Sequence, residues 1–185
     1  MVNIKGEEFI HTDSEDLKKM VLAAFFAALI AVAAYIRIPL PISPVPITAQ
    51  ILFVFLAATY LGKKWGTISL IVYLLLGIVG LPVFAGGGSG VGVLLGPTGG
   101  YLLGFVFAAF MIGSLKEKTS CSSFFHNSLI IFSGLILIYA LGVLQMSIVA
   151  NLSLEEAIIV GVVPFLVPDI IKVVAAAYIT SNYEV

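Results

Sequence analysis

The sequence predicts an all-α, polytopic membrane protein: six transmembrane helices with a glycine-rich extracellular lid loop. Three observations predict it. The 185 residues are 61% hydrophobic and only 10% charged, against about 45–50% and about 25% in ordinary soluble domains. Mean hydropathy is +1.16, more apolar surface than a soluble fold of this size can bury. The charges also sit in clusters that divide the chain into uncharged runs long enough to cross a bilayer, which takes about 20 helical residues. A soluble enzyme, a disordered chain and a nucleic-acid binder are excluded. Nine basic and ten acidic residues leave a net charge of −1, so there is no polycationic surface. The single cysteine, Cys121, excludes a disulfide framework and a multi-cysteine metal site. A β-barrel would alternate in ten-residue segments, and runs such as residues 21–34 do not.

Residues 1–19 form a polar cytoplasmic tail and residues 20–185 the membrane domain. The tail carries Glu7, Glu8, Asp13, Glu15 and Asp16, the wrong sign for a signal peptide, and is expected to lead as a surface helix into the first span. That span covers 20–36, stopped by Arg37 and by Pro39, Pro41, Pro44 and Pro46. The second covers 47–61 and stops at Gly62-Lys63-Lys64-Trp65. No charge follows until Lys116, and a glycine-rich break divides this run into spans at 66–83 and 98–115. A polar loop leads to spans at 128–149 and 157–180, joined by a turn at 151–156. With the N-terminus inside, Lys5, Lys18, Lys19, Lys63, Lys64, Lys116 and Lys118 all lie on the inner side and only Arg37 outside. This satisfies the positive-inside rule and predicts that both termini are cytoplasmic.

Asp169 and Lys172 lie inside the last span, where a charge costs about 2.5–3.5 kcal/mol on insertion scales. Their i, i+3 spacing puts them on one helix face, as an acceptor and donor for a ligand or as an ion pair that locks the span into the bundle. Pro164 and Pro168 precede them and either free carbonyls at a cavity or kink the helix for packing. The run from Gly80 to Gly92 has no Gly-Lys-Ser/Thr for phosphate binding. It is a flexible linker or, given the apolar Val91, Val93, Leu94 and Leu95 beside it, a lid over a hydrophobic ligand. Gly96, Gly100 and Gly104 recur every four residues, a spacing that lets helices approach closely, with Tyr101 pointing into the upper bundle. Gln50 follows a proline-rich turn and either meets a ligand or bridges helices. Ala23, Ala27 and Ala31, with Ala24 and Ala28, form small-residue rows for close helix contact, internal or with another protein. His11 and His126 have no neighbouring ligands, and no metal, nucleotide or catalytic constellation is visible. The chain is read as a non-enzyme that could bind and translocate.

Pro44-Val45-Pro46-Ile47-Thr48-Ala49-Gln50, the run from Tyr73 to Gly87, Gly96-Pro97-Thr98-Gly99-Gly100-Tyr101 and Pro168-Asp169-Ile170-Ile171-Lys172 together resemble the BioY family, the biotin-binding S components of energy-coupling-factor (ECF) transporters. The resemblance covers about residues 20–180. It implies six helices in the plasma membrane, with a vitamin site near the outer face closed by the loops after the first and third spans. It also implies a separate membrane T component, contacted through Ala23, Ala24, Ala27, Ala28 and Ala31, and two cytoplasmic ATPases that supply the energy. Biotin would be transported cargo, with no cofactor. Asp169 would accept from its ureido N–H groups, and Lys172 would donate to the ureido carbonyl or offset the carboxylate. Gln50 and Tyr101 would add hydrogen bonds, Phe84 would cover the apolar ring, and Gly87 and Gly88 would let the lid close. An S component for a different vitamin, a stand-alone secondary transporter and a structural subunit are the alternatives.

Overall fold

The computed structural model describes residues 4–119 and 123–183. Cys121 and its flanking Ser120 and Ser122 lie outside the described residues, as do the side chains of the acidic N-terminal stretch, His11 included. Among the described residues the architecture is a bundle of seven α-helices: α1 (Ile4–Ala33), α2 (Gln50–Ile78), α3 (Val91–Leu95), α4 (Gly99–Glu117), α5 (Phe124–Ala150), α6 (Leu154–Gly161) and α7 (Leu166–Asn182). A two-residue antiparallel pair, β1 (Arg37–Ile38) with β2 (Ile47–Thr48), closes the loop after α1. Among the described residues, Gln50–Ile78, Gly99–Glu117, Phe124–Ala150 and the joined stretch Leu154–Asn182 are long and apolar enough to cross a membrane.

Several boundaries differ from the sequence reading. The first helix starts in the polar segment, runs unbroken into the apolar one and ends at Ala33. Residues 34–36 form a turn instead, because the chain must pair Arg37 with Thr48. The expected second span gives up Ile47 and Thr48 to β2, and the third ends at Ile78, short of Gly80 and Pro82.

The lysine cluster after Gly62 is not a loop. Helix resumes at once, and the reversal is made at Gly62 alone, whose φ of 71° and ψ of −171° interrupt α2. That left-handed φ suits glycine. The two limbs then fold back on each other. Gln50 and Tyr73 lie 23 residues apart yet share a hydrogen bond of 2.6 Å, whereas a straight helix would separate them by about 34 Å. A Cβ at Gly66 would sit 3.0 Å from the carbonyl oxygen of Ala57, so glycine also permits the close approach beside the turn. The Glu117 carboxylate accepts the Lys63 backbone N–H at 2.8 Å, supplying a partner at the start of the returning limb.

Helix α2 packs broadly on α4, and α4 on α5. The glycine spacing of α4 serves the second contact. A Cβ at Gly104 would lie 3.0 Å from Ile138 Cα, and one at Gly100 would strike the Leu141 carbonyl. Gly96 is not part of this row, because it lies before the helix and meets only the backbone of Gly92 and Val93. Val54, Phe55, Leu70, Tyr73, Ile112, Ile138 and Met146 form the fully buried centre. Large apolar side chains also cover the outside, among them Phe25, Val32, Phe107, Phe110, Ile136 and Ile171. A bilayer accepts such a surface and water does not.

The end of the bundle away from the site is tied by polar contacts. Lys116 Nζ donates to Asn127 Oδ1 at 2.9 Å, and Asn127 Nδ2 donates to the Thr180 hydroxyl at 3.3 Å. The Tyr60 hydroxyl meets the Tyr183 carbonyl at 3.0 Å. At the opposite end, Asn151 adopts a left-handed conformation after α5, and a Ser153–Glu156 capping box starts α6.

Candidate binding site

Two adjoining cavities open at the end of the bundle that carries β1, β2 and the glycine-rich loop. The larger, about 230 Å³, is lined by Arg37, Thr48, Gln50, Phe84, Thr98 and Tyr101 among others. The smaller, about 50 Å³, is lined by Ile51, Ile138, Tyr139, Phe165, Asp169 and Lys172. Val45, Pro46, Thr48, Tyr101 and Phe105 border both.

The broken last helix positions the charged pair. Pro164 lies in a 3₁₀ turn, Val163–Phe165, that separates α6 from α7. Asp169 falls in the first turn of α7, where the helix dipole favours a negative charge. Its side chain is buried, with 6% of its surface exposed. Lys172 Nζ donates to Asp169 Oδ1 at 2.7 Å, and the Tyr139 hydroxyl donates to Oδ2 at 2.8 Å. Lys172 therefore turns to its neighbour along the helix face, as the i, i+3 spacing predicts. An ionised carboxylate has about four acceptor positions and an ammonium three donors. The trio leaves capacity on both groups for a ligand in the cavity.

The same break uses Tyr101. In a continuous helix the Gly161 carbonyl would accept the Phe165 N–H. Here Phe165 N–H donates to Val162 O at 2.9 Å, and Gly161 O accepts instead from the Tyr101 hydroxyl at 2.9 Å. The Tyr101 ring fits because Gly142 and Gly161 flank it, and a Cβ at either would collide with it. Tyr101 is thus a cavity wall whose hydroxyl proton is already committed.

Gln50 opens α2 and is buried beside the larger cavity. Its Nε2 donates to the Tyr73 hydroxyl, which donates to Val83 O at 3.2 Å. The chain of bonds ties the cavity wall to the glycine-rich loop. Phe84 is fully buried, stacks edge-on against Tyr73 at 5.7 Å and lies directly over Gly77, where any Cβ would strike its ring. It closes one side of the larger cavity.

The glycine-rich stretch is an ordered, folded lid. Phe84 and Gly88 pair across a turn with Gly86 and Gly87 at φ of 75° and 79°, values that glycine adopts freely. Gly90 N–H donates to Gly77 O at 2.7 Å. Gly87 and Gly88 shape this turn but are not among the residues that line either cavity; the lining passes instead to Phe84 and Ala85.

The alanine rows divide. Ala23 and Ala27 are buried in the chain's own core and are unavailable to another protein. Ala24 and Ala28 lie exposed on the adjacent face of α1, and Ala31 is half-buried. His126 carries a buried Nε2 without a partner, among the described residues. Among the described residues there is no cluster of metal-ligating side chains.

The sequence reading misses three site residues. Tyr139 holds Asp169, yet a tyrosine in an apolar span reads as core. Arg37 reads in the sequence only as the stop of the first span and as an outer charge. Gln145 Nε2 donates to Leu94 O at 2.6 Å and Gly96 O at 2.8 Å, fastening the end of the lid to α5. The signal was present: Gln145 is an amide in an uncharged span, the same feature that singled out Gln50.

The BioY family model matches residues 7–184. A Thermotoga maritima protein named biotin transporter BioY is 48% identical over 168 residues, covering 91% of this chain and 96% of its own. A probable biotin transporter BioY from Pyrococcus horikoshii is 40% identical, covering 90% and 96%. A solved S-component for biotin from an ECF-type ABC transporter superposes with a TM-score of 0.85 at 33% identity, covering 91% of this chain and 92% of that one. The chain belongs to the BioY family.

Proposed function

We propose that this protein captures biotin from the outer side of the plasma membrane as the S component of an ECF transporter. The observation that carries the proposal is the buried Asp169, held by the half-buried Lys172 and Tyr139 beside a cavity that adjoins the one under the glycine-rich loop. A buried charge in a membrane helix is costly and points to a binding role. Biotin's ureido ring presents two N–H donors and one carbonyl. Asp169 accepts the N–H groups and Lys172 donates to the carbonyl. Gln50 and the Tyr101 oxygen add hydrogen bonds, while Phe84 and Phe105 cover the thioether ring and the hydrocarbon tail. Gly87 and Gly88 contribute through the fold of the lid.

The chain crosses the bilayer six times, with α2 supplying two crossings through its reversal at Gly62, and both termini are cytoplasmic. It has no ATP-hydrolysing site of its own in this reading. Energy comes from a membrane T component and two ATPases, with the exposed Ala24–Ala28 side of α1 as the contact. The polar residues 1–19 belong to the inner side, and residues 20–185 form one membrane domain.

Equilibrium binding of radiolabelled biotin to the purified, folded protein in detergent tests this function, with thiamine and riboflavin as competitors. Saturable binding displaced by unlabelled biotin alone is expected. Displacement by another vitamin, or no binding, overturns the assignment.

A further inference from the structure

The two cavities differ in charge. In the smaller, the Lys172 ammonium is compensated by Asp169 at 2.7 Å, so an incoming anion meets a neighbouring carboxylate. Among the described residues that line the larger, Arg37 is the only charged one; its neighbours Gln50, Thr48 and Thr98 are neutral. Among the described residues no carboxylate pairs with Arg37.

The backbone also aims Arg37 at the cavity. The β1–β2 register sets Arg37 directly opposite Thr48, and directly opposed residues project from the same face of a pair. Both line the larger cavity. The guanidinium lies over Gly86, in the space a Cβ there would occupy, and Gly86 holds a left-handed φ of 75°. Arg37 is exposed, and its guanidinium lies against the lid turn at this glycine. Tyr35, two residues earlier, donates its hydroxyl to Pro82 O and ties the same loop to the lid.

We infer that Arg37 receives the carboxylate of the ligand, which fixes its orientation: carboxylate beneath the lid turn, ureido ring at Asp169 and Lys172. This rests on the biotin reading above. A guanidinium offers a planar fork of donors matched to a carboxylate. Its position at the rim also draws an anion toward the opening. Arg37 thereby sets specificity for a free acid over a ligand whose tail is esterified or amidated.

The test is equilibrium binding of biotin and of biotinamide, its uncharged-tail analogue, to the wild type, Arg37→Gln, Arg37→Lys and Lys172→Gln in detergent at low and high salt. The wild type is expected to prefer biotin by about tenfold, the scale of one charge-assisted hydrogen-bonded pair. Arg37→Gln should weaken biotin about tenfold more than biotinamide and so erase the preference. Arg37→Lys should keep part of it, and the preference should fall with salt. Equal weakening of both ligands by Arg37→Gln would reduce Arg37 to a support for the lid. A preference lost in Lys172→Gln but kept in Arg37→Gln would reverse the orientation. A wild type that binds both ligands equally would overturn the assignment while leaving the biotin site intact. A folded wild type that binds neither would overturn the biotin reading itself, and the assignment with it.

Discussion

At the scale of single residues, Asp169 is central: its carboxylate is held from two sides by Lys172 and Tyr139. Removing one partner of a buried ion pair leaves an uncompensated charge, at a cost of about 3–5 kcal/mol. Lys172→Ala should therefore lower the thermal unfolding midpoint in detergent. The double variant Asp169→Asn/Lys172→Ala should recover part of that loss, because it removes the stranded charge. Tyr139→Phe deletes one hydrogen bond to a charged group, worth about 1.5–3 kcal/mol, and leaves the ring's packing intact. Calorimetric titration should show biotin binding weakened about tenfold or more. A Tyr139→Phe variant with unchanged affinity would show that the hydroxyl does not orient Asp169 for the ligand. Asp169 and Lys172 are legible in the sequence because charge stands out in an apolar run. Tyr139 is not, because its ring is at home there and only the fold shows where its hydroxyl ends. The alanines of α1 show the same limit: Ala23 and Ala24 are alike in sequence, and packing alone buries one and exposes the other.

At the scale of elements, glycines and prolines decide where helices stop and how closely they approach. The break at Pro164 is readable because proline ends a helix, but the partner of the freed carbonyl, the Tyr101 hydroxyl, comes from a segment 60 residues away. Tyr101→Phe should leave Gly161 O unpaired, costing about 1–3 kcal/mol, and thermal unfolding would register it even without ligand. Gly100→Ala would press a methyl group against the Leu141 carbonyl. Backbone cannot step aside as a side chain can, so α4 and α5 must separate, at about 1–3 kcal/mol. A lowered unfolding midpoint is expected, and a Gly100→Ala variant as stable as the parent would contradict the packing described. The reversal at Gly62 is legible as an interruption, but that a single residue makes it is not. A polar Gly-Lys-Lys-Trp run looks like a loop, whereas one left-handed glycine and a carboxylate from α4 suffice to turn the chain.

Over the whole molecule, composition alone indicated a membrane protein, and the family resemblance narrowed its cargo. The joining of remote segments into one site was not legible. The cavities take walls from the loop after α1, the lid, α4, α5 and α7, and no local pattern states that these meet. The outside of α1 carries the proposal for assembly. Ala24→Leu/Ala28→Leu enlarges exposed positions without touching the cavities, so co-purification with a T component and its ATPases should fail while biotin binding persists. Loss of both together would place the alanines in the fold itself. The central claim, that the trio around Asp169 is a biotin site, is tested most directly by equilibrium biotin binding to the purified wild type beside Asp169→Asn and Lys172→Ala, each checked for folding. The account predicts tight binding to the wild type, weakened in both variants. Wild-type affinity retained by folded forms of both variants would contradict it and leave the pair as a structural lock between α7 and the bundle.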